Sequence, residues 1–196
     1  TFLLLNPIPN LAATAENIRR MPSRRTAWWL MNKKKMLGDM RMFFAQHASY
    51  REPNPESRWH WRLDLMLGGG GMVMDSGAHF CDTIRYLYGD PDTVYGKVEQ
   101  LEERCVTKDG EIVKNDQEDT WFATINFKSG ATGLWTCTWS APGESFNRVV
   151  HYGSEGCLVD SGDIFHGPFD GAKVVMKDGT EYSMEQLKED FFSELG

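Results

Sequence analysis

The sequence predicts an α+β fold: a large, open, mainly antiparallel β-sheet with helices on one face. Three observations carry that expectation. From Val94 to Tyr182 apolar residues recur at every second position, in short segments divided by turn residues. Ahead of this stretch, Val73, Gly77, Phe80, Ile84 and Leu87 recur at helical spacing. After it, Ser183-Met-Glu-Gln186 has the form of a capping box and opens a last helix.

Taken in order, Pro22 suits the first turn of a helix, and Ala27, Trp28, Leu30, Met31, Met36 and Leu37 supply its apolar positions before Gly38 stops it. Asp39 to Tyr50 carries Met40, Met42 and Phe44 at period two, a strand signature. Arg51 to Trp61 reads as loop. Four glycines, Gly68 to Gly71, precede the helix over Val73 to Leu87, which Gly89 and Pro91 close. Val94 to Leu101 is a strand, and Glu102 to Asp119 is read as a polar, exposed loop. Trp121, Ala123, Ile125 and Phe127, the turn Lys128 to Ala131, and a return strand bearing Gly133, Trp135, Cys137 and Trp139 make an antiparallel hairpin. Further strands are expected at Arg148 to Tyr152, Cys157 to Asp160 and Lys173 to Lys177. Asp178-Gly179 then turns the chain into Thr180 to Tyr182.

A chain of 196 residues is long enough for one domain with a substantial core. Its net charge of −7 argues against general nucleic-acid binding, which needs a basic face. The run Lys33 to Lys35 reads as the solvated C-terminal end of a helix. Cys81, Cys105, Cys137 and Cys157 form no C-x-x-C pair and read as reduced, mostly core residues of a cytoplasmic protein. Thr1 to Leu5 is too short to span a bilayer, so no membrane association is expected. Both ends look unfinished, which leads us to expect a fragment.

The chemistry concentrates in Gly68 to Asp82. On one helix Asp75 and His79 stand four residues apart and share a face, with Asp82 three further along. An imidazole beside a carboxylate is an acid–base unit that works near neutral pH. Taken alone, such a pair is more often a helix-surface contact or a satisfied core histidine. Gly77 between them leaves room for a backbone or a substrate. No third His or Cys stands at ligand spacing except His60, so no metal site is assigned. The glycines lack both G-x-x-x-x-G-K-[ST] and G-x-G-x-x-G, and read as a flexible or tightly packed approach to the helix rather than a phosphate loop.

The ordered set of motifs is more specific. Trp61-Arg-Leu-Asp64, followed by G-G-G-x-x-x-D-x-G-x-H-x-x-D-x-x-R-Y-L-x-G-D-P over Gly69 to Pro91, resembles the second domain of the Gfo/Idh/MocA oxidoreductases. So do Ala15-Glu-Asn-Ile-Arg-Arg-Met-Pro22, Lys35 to Met40, Glu118 to Ala131 and Gly153 to Gly156. The resemblance implies a substrate-binding and oligomerisation domain over 15–196, truncated at its C-terminus. Its open sheet is like that of the dihydrodipicolinate-reductase C-terminal domain, and it normally follows a Rossmann domain that binds NAD or NADP. It also implies that His79 accepts the substrate hydroxyl proton, that Asp75 orients the reacting groups, and that Asn17 lies near the nicotinamide. Arg19, Arg62, Trp59 and His60 are the implied sugar or polyol contacts. For Arg62 a structural salt bridge with Asp64 or another acid is an equal alternative.

Two departures stand beside the resemblance. The sequence has no G-x-G-x-x-G, and the family's E-K-P is only echoed at Leu4 to Ile8, with Asn6 where lysine would stand. Residues 1–14 are therefore expected to be a remnant or mis-joined segment, the N-terminal Rossmann domain to be absent, and the isolated chain to be inactive. The implied activity is oxidation of a sugar, cyclitol or glycoside hydroxyl. A noncatalytic oligomerisation or sugar-binding module, and an NAD-dependent glycoside-cleaving relative, are the alternatives. The open sheet is expected to support a homo-oligomer, and Trp121, Trp135 and Trp139 along one strand face either serve that contact or pack under the helices.

Overall fold

The computed structural model describes residues 16–160 and 172–195. The expectations placed on 1–14, including the echo at Leu4 to Ile8, lie outside the described residues. The alternating segments become β1 (Met40–Ala48), β2 (Pro91–Glu99), β3 (Arg104–Lys108), β4 (Glu111–Asn115), β5 (Thr120–Phe127), β6 (Thr132–Thr138), β7 (Phe146–Gly153), β8 (Gly156–Asp160), β9 (Lys173–Met176) and β10 (Glu181–Ser183). Eight of these pair as one sheet in the order β10-β9-β8-β7-β1-β6-β5-β2. Only the β1–β6 pairing is parallel; the others are antiparallel. The expected fold class is the observed one.

The helices are α1 (Pro22–Trp28), extended by a π-helical turn Trp29–Lys33, then α2 (Leu65–Gly68), α3 (Met72–Asp75), α4 (Gly77–Tyr88) and α5 (Met184–Leu195). A single row of partners crosses six strands: Ile125, Gly133, Phe43, His151, Leu158 and Val174. All face the helices. Gly133 is required there, because a Cβ would lie 2.1 Å from the Phe43 ring. Above this row α4 lays Phe80 flat on Trp135, ring centroids 3.8 Å apart, while Trp29 meets Phe191 of α5 edge-on at 5.7 Å. Leu30, Leu37, Leu87, Leu158 and Met184 complete a fully enclosed core.

Several details differ from the sequence reading. In β1 the helix-facing residues are Phe43 and Ala45, whereas Met42 is 40% exposed on the open face. A central strand with apolar residues on both sides gives no clean period, so the spacing of Met40, Met42 and Phe44 marks the strand but not its buried face. Trp121 and Trp135 are not displayed for a partner; both are buried beneath the helices, and Trp139 packs against the same core. The stretch Glu102 to Asp119 is not a loop. It holds the hairpin β3–β4, turned by Asp109-Gly110 with both residues at positive φ (52° and 86°), the signature of a tight hairpin. Of the cysteines only Cys137 is buried; Cys81 is exposed, and none of the four is in a disulfide among the described residues.

The ends of the last helix behave as the pattern predicts. Ser183 and Gln186 exchange the two bonds of a capping box, Ser183 N–H donating to Gln186 Oε1 at 3.1 Å and Gln186 N–H to Ser183 Oγ at 3.4 Å. Glu194 accepts from Lys33 and Lys34 at 2.8 and 2.6 Å, and these lysines hold its carboxyl down to about 2. The basic run is thus a solvated helix end. Among the described residues no helix is long and apolar enough to cross a membrane.

Candidate active site

The site forms where the short 3-10 turn Ile18–Arg20 crosses α4. Two charged contacts make the crossing. Arg19 donates from Nε and Nη2 to the two carboxylate oxygens of Asp82, and His79 Nδ1 meets Glu16 Oε2. His79, Asp82 and Tyr86 form one strip along α4, because helical neighbours recur at three and four residues. Tyr86 continues the strip beneath Arg19, whose guanidinium carbon lies 5.3 Å from the ring centroid, and Trp28 of α1 stacks on the far side at 5.8 Å.

The helix expected to run unbroken through Asp75 and His79 is interrupted at Ser76, where φ opens to −102°. Asp75 ends α3 and His79 lies in the first turn of α4. Among the described residues the two side chains share no hydrogen bond. Asp75 instead pairs with Arg62, Nε to Oδ1 at 3.3 Å, and both remain more than half exposed. The salt-bridge alternative for Arg62 is therefore realised, with Asp75 and not Asp64 as the acid. Asp64 is committed elsewhere, accepting from the Met66 and Leu67 amides to cap α2.

The neighbouring residues set Arg62 in place. His60 precedes the 3-10 turn Trp61–Leu63 and its Nδ1 accepts the Arg62 amide at 3.2 Å, so that nitrogen is unprotonated. Gln117 donates to the Arg62 carbonyl at 2.6 Å. Trp59 is not drawn into the same cluster. Its ring lies under Lys108 at 4.4 Å and lines a groove with Leu63, Met66 and Val113 against the β3–β4 hairpin. Asn17 is exposed, and its side chain caps nothing.

Two acidic residues matter here that the sequence reading passed over. Glu16 holds His79. Glu118 accepts the Gly71 and Val73 amides at 2.7 and 3.0 Å, closing the N-terminus of α3 with a protein carboxylate. A Cβ on Gly71 would stand 2.6 Å from the Glu118 carbonyl, so the glycines are a tight approach rather than a flexible one. Gly77 likewise leaves no opening for substrate; it is buried with the Trp135 ring 3.5 Å from where a Cβ would be. Glu118 was visible only as part of a longer motif, and nothing local marked Glu16 as a partner of a residue 63 positions away. Among the described residues no group of three or more His, Cys, Asp or Glu side chains could hold a metal.

The arrangement offers a half-exposed imidazole (36%) with one nitrogen engaged, and a carboxylate–guanidinium pair beside it. Together with the open sheet, it makes an α+β domain with a partly exposed cluster of ionisable side chains on its helical side. A family model described as the GFO/IDH/MocA C-terminal domain matches residues 31–159, and the chain belongs to this family of oxidoreductases. It is 26% identical over 113 residues to the 1,5-anhydro-D-fructose reductase of Ensifer adhaerens, covering 58% of this chain and 30% of the reductase. Among solved structures, levoglucosan dehydrogenase in complex with NADH and L-sorbose superposes with TM-score 0.66 at 25% identity, covering 83% of this chain and 42% of that one. An NAD-binding oxidoreductase from Klebsiella pneumoniae gives 0.67 at 25%, covering 85% and 43%. The chain thus spans less than half the length of these relatives.

Proposed function

We propose that this chain is the substrate-binding part of a nicotinamide-dependent dehydrogenase that oxidises a hydroxyl of a sugar, cyclitol or glycoside. The observation that carries the reading is His79: half exposed, its Nδ1 engaged by Glu16, and its Nε2 without a hydrogen-bond partner among the described residues. A free imidazole nitrogen beside a surface carboxylate suits removal of a hydroxyl proton. Reduction of anhydrofructose by one relative, and a structure of another with NADH and L-sorbose, support the substrate class.

Each residue then has a task. His79 Nε2 takes the hydroxyl proton as the carbon–oxygen double bond forms. Asp75 and Arg62 present an acceptor and a donor that orient the reacting hydroxyl and its neighbour. Arg19, Trp59 and His60 are further contacts for the remainder of the substrate; Arg19 gives Asp82 two of its five N–H donors and keeps three. The Asn17 amide, exposed and uncommitted, matches a nicotinamide carboxamide in donors and acceptors. When bound, NAD or NADP would supply the acceptor for the hydride of the carbinol carbon. With no G-x-G-x-x-G in the sequence, that cofactor would be held mainly by a Rossmann domain joined to this one. Alone, the chain should not turn over.

The test is to join the chain to the dinucleotide-binding domain of a relative and assay polyols and sugars with NAD and with NADP. Activity that disappears in His79→Ala supports the reading; full activity in that variant sinks it. A homo-oligomer through the open sheet is a companion proposal, supported by Met42, Leu134 and Phe122, which stand 38 to 46% exposed on that face. Sedimentation at several concentrations tests it, and a strict monomer counts against it.

A further inference from the structure

We infer that Glu16 is a positioning residue that fixes His79 as its Nδ1–H tautomer, leaving the lone pair on Nε2 as the base. The inference rests on the proposed role of His79 but concerns a residue outside the span that the family model matches. Three observations carry it.

First, Glu16 Oε2 meets His79 at Nδ1, and an ionised carboxylate has only acceptor capacity, so the shared proton belongs to the ring nitrogen. Second, the carboxylates nearer in sequence are occupied. Asp75 faces Arg62, and Asp82 receives both donors of Arg19, so Glu16 alone among the described residues bonds the His79 ring. Third, the contact is built rather than incidental. Arg19 on Asp82 and Glu16 on His79 are both 63 residues apart, so a three-residue step along the segment leading into the 3-10 turn matches the three-residue step from His79 to Asp82 on α4. Glu16 is 22% exposed, which restricts competition from water.

The consequence is chemical. A neutral imidazole in water carries its proton mostly on Nε2, the nitrogen required here to be free. A carboxylate on Nδ1 reverses that preference and stabilises the imidazolium formed once Nε2 has taken a proton. Glu16 touches neither the reacting carbon nor its hydroxyl in this scheme; it acts through His79.

The tautomer is read directly from the ring nitrogen shifts and two-bond couplings of His79 in the ¹⁵N-labelled 196-residue chain, at a pH where the ring is neutral. We expect a protonated Nδ1 and a bare Nε2 in the wild type, and a shift of population toward Nε2–H in Glu16→Ala. A wild-type Nε2–H tautomer overturns the inference before any variant is made, so a variant that fails to fold does not protect it. In the enzyme joined to a cofactor domain, Glu16→Ala should lower kcat by roughly 10²-fold with KM little changed, and Glu16→Asp should recover part of the loss. A tautomer indifferent to Glu16→Ala overturns the inference and leaves the proposed function standing. Turnover that survives His79→Ala overturns the function, while the nitrogen spectrum still decides what Glu16 does.

Discussion

Arg19 grips both carboxylate oxygens of Asp82, and that grip sets where Glu16 stands relative to His79. The two contacts are three residues apart on each partner, so they share a register. The Arg19–Asp82 pair is partly exposed, 40% and 18% for the two side chains, and such pairs contribute little to stability. Its weight is geometric.

Arg19→Ala should therefore change unfolding free energy by under about 1 kcal/mol and yet disturb the His79 ring. Arg19→Lys should not restore it, because an ammonium cannot span both oxygens of Asp82 as a guanidinium does. Thermal unfolding and the His79 ring resonances, measured on the same samples, test this; equal loss in both readouts would make the pair merely structural.

Glu118 should matter for stability. Replacing it with Ala leaves the Gly71 and Val73 amides uncapped at the start of α3 and should cost about 1 to 2 kcal/mol. Glu118→Gln, which keeps one acceptor, should cost less. Urea denaturation midpoints order the three proteins.

His151 should make the protein acid-sensitive. It is buried and its Nδ1 shares a hydrogen bond with the Tyr88 hydroxyl at 2.8 Å; burial, then the Arg24 charge, lower its pKa from 6.5 to about 3. Between those values the unfolded chain binds a proton that the folded chain refuses. Stability is therefore complete above about pH 6.5 and falls by about 1.4 kcal/mol per pH unit on acidification toward pH 3. His151→Gln should flatten that slope in a series of denaturation curves, whatever it does to stability at neutral pH.

Gly153 and Gly96 should respond oppositely to Ala. A Cβ at Gly153 would lie 1.9 Å from the Leu37 carbonyl oxygen, so Gly153→Ala must displace backbone and should cost about 3 kcal/mol. At Gly96 the nearest atom is 3.6 Å away, and Gly96→Ala in edge strand β2 should be neutral or mildly stabilising. Comparing their melting temperatures separates close packing from backbone freedom.

The sequence by itself determined the class of fold, most strand positions, the capping box at Ser183 and the ordered motifs around Asp75 and His79. These rest on short-range periodicity and on turn chemistry, which are local. Asp109-Gly110 was a legible hairpin signal too, overlooked because the residues around it are polar. Which face of β1 is buried was not legible, since Met42 and Phe43 are both apolar and only pairing with β6 and β7 chooses between them. Nor was the partner of His79. Spacing offered Asp75, four residues away, but the helix is interrupted at Ser76 and Asp75 pairs with Arg62, while a distant segment supplies Glu16. Ion pairs between segments 63 residues apart leave no periodic trace. Tertiary structure alone decided which carboxylate meets the imidazole, because that depends on how one helix lies across another and not on any run of residues along the chain.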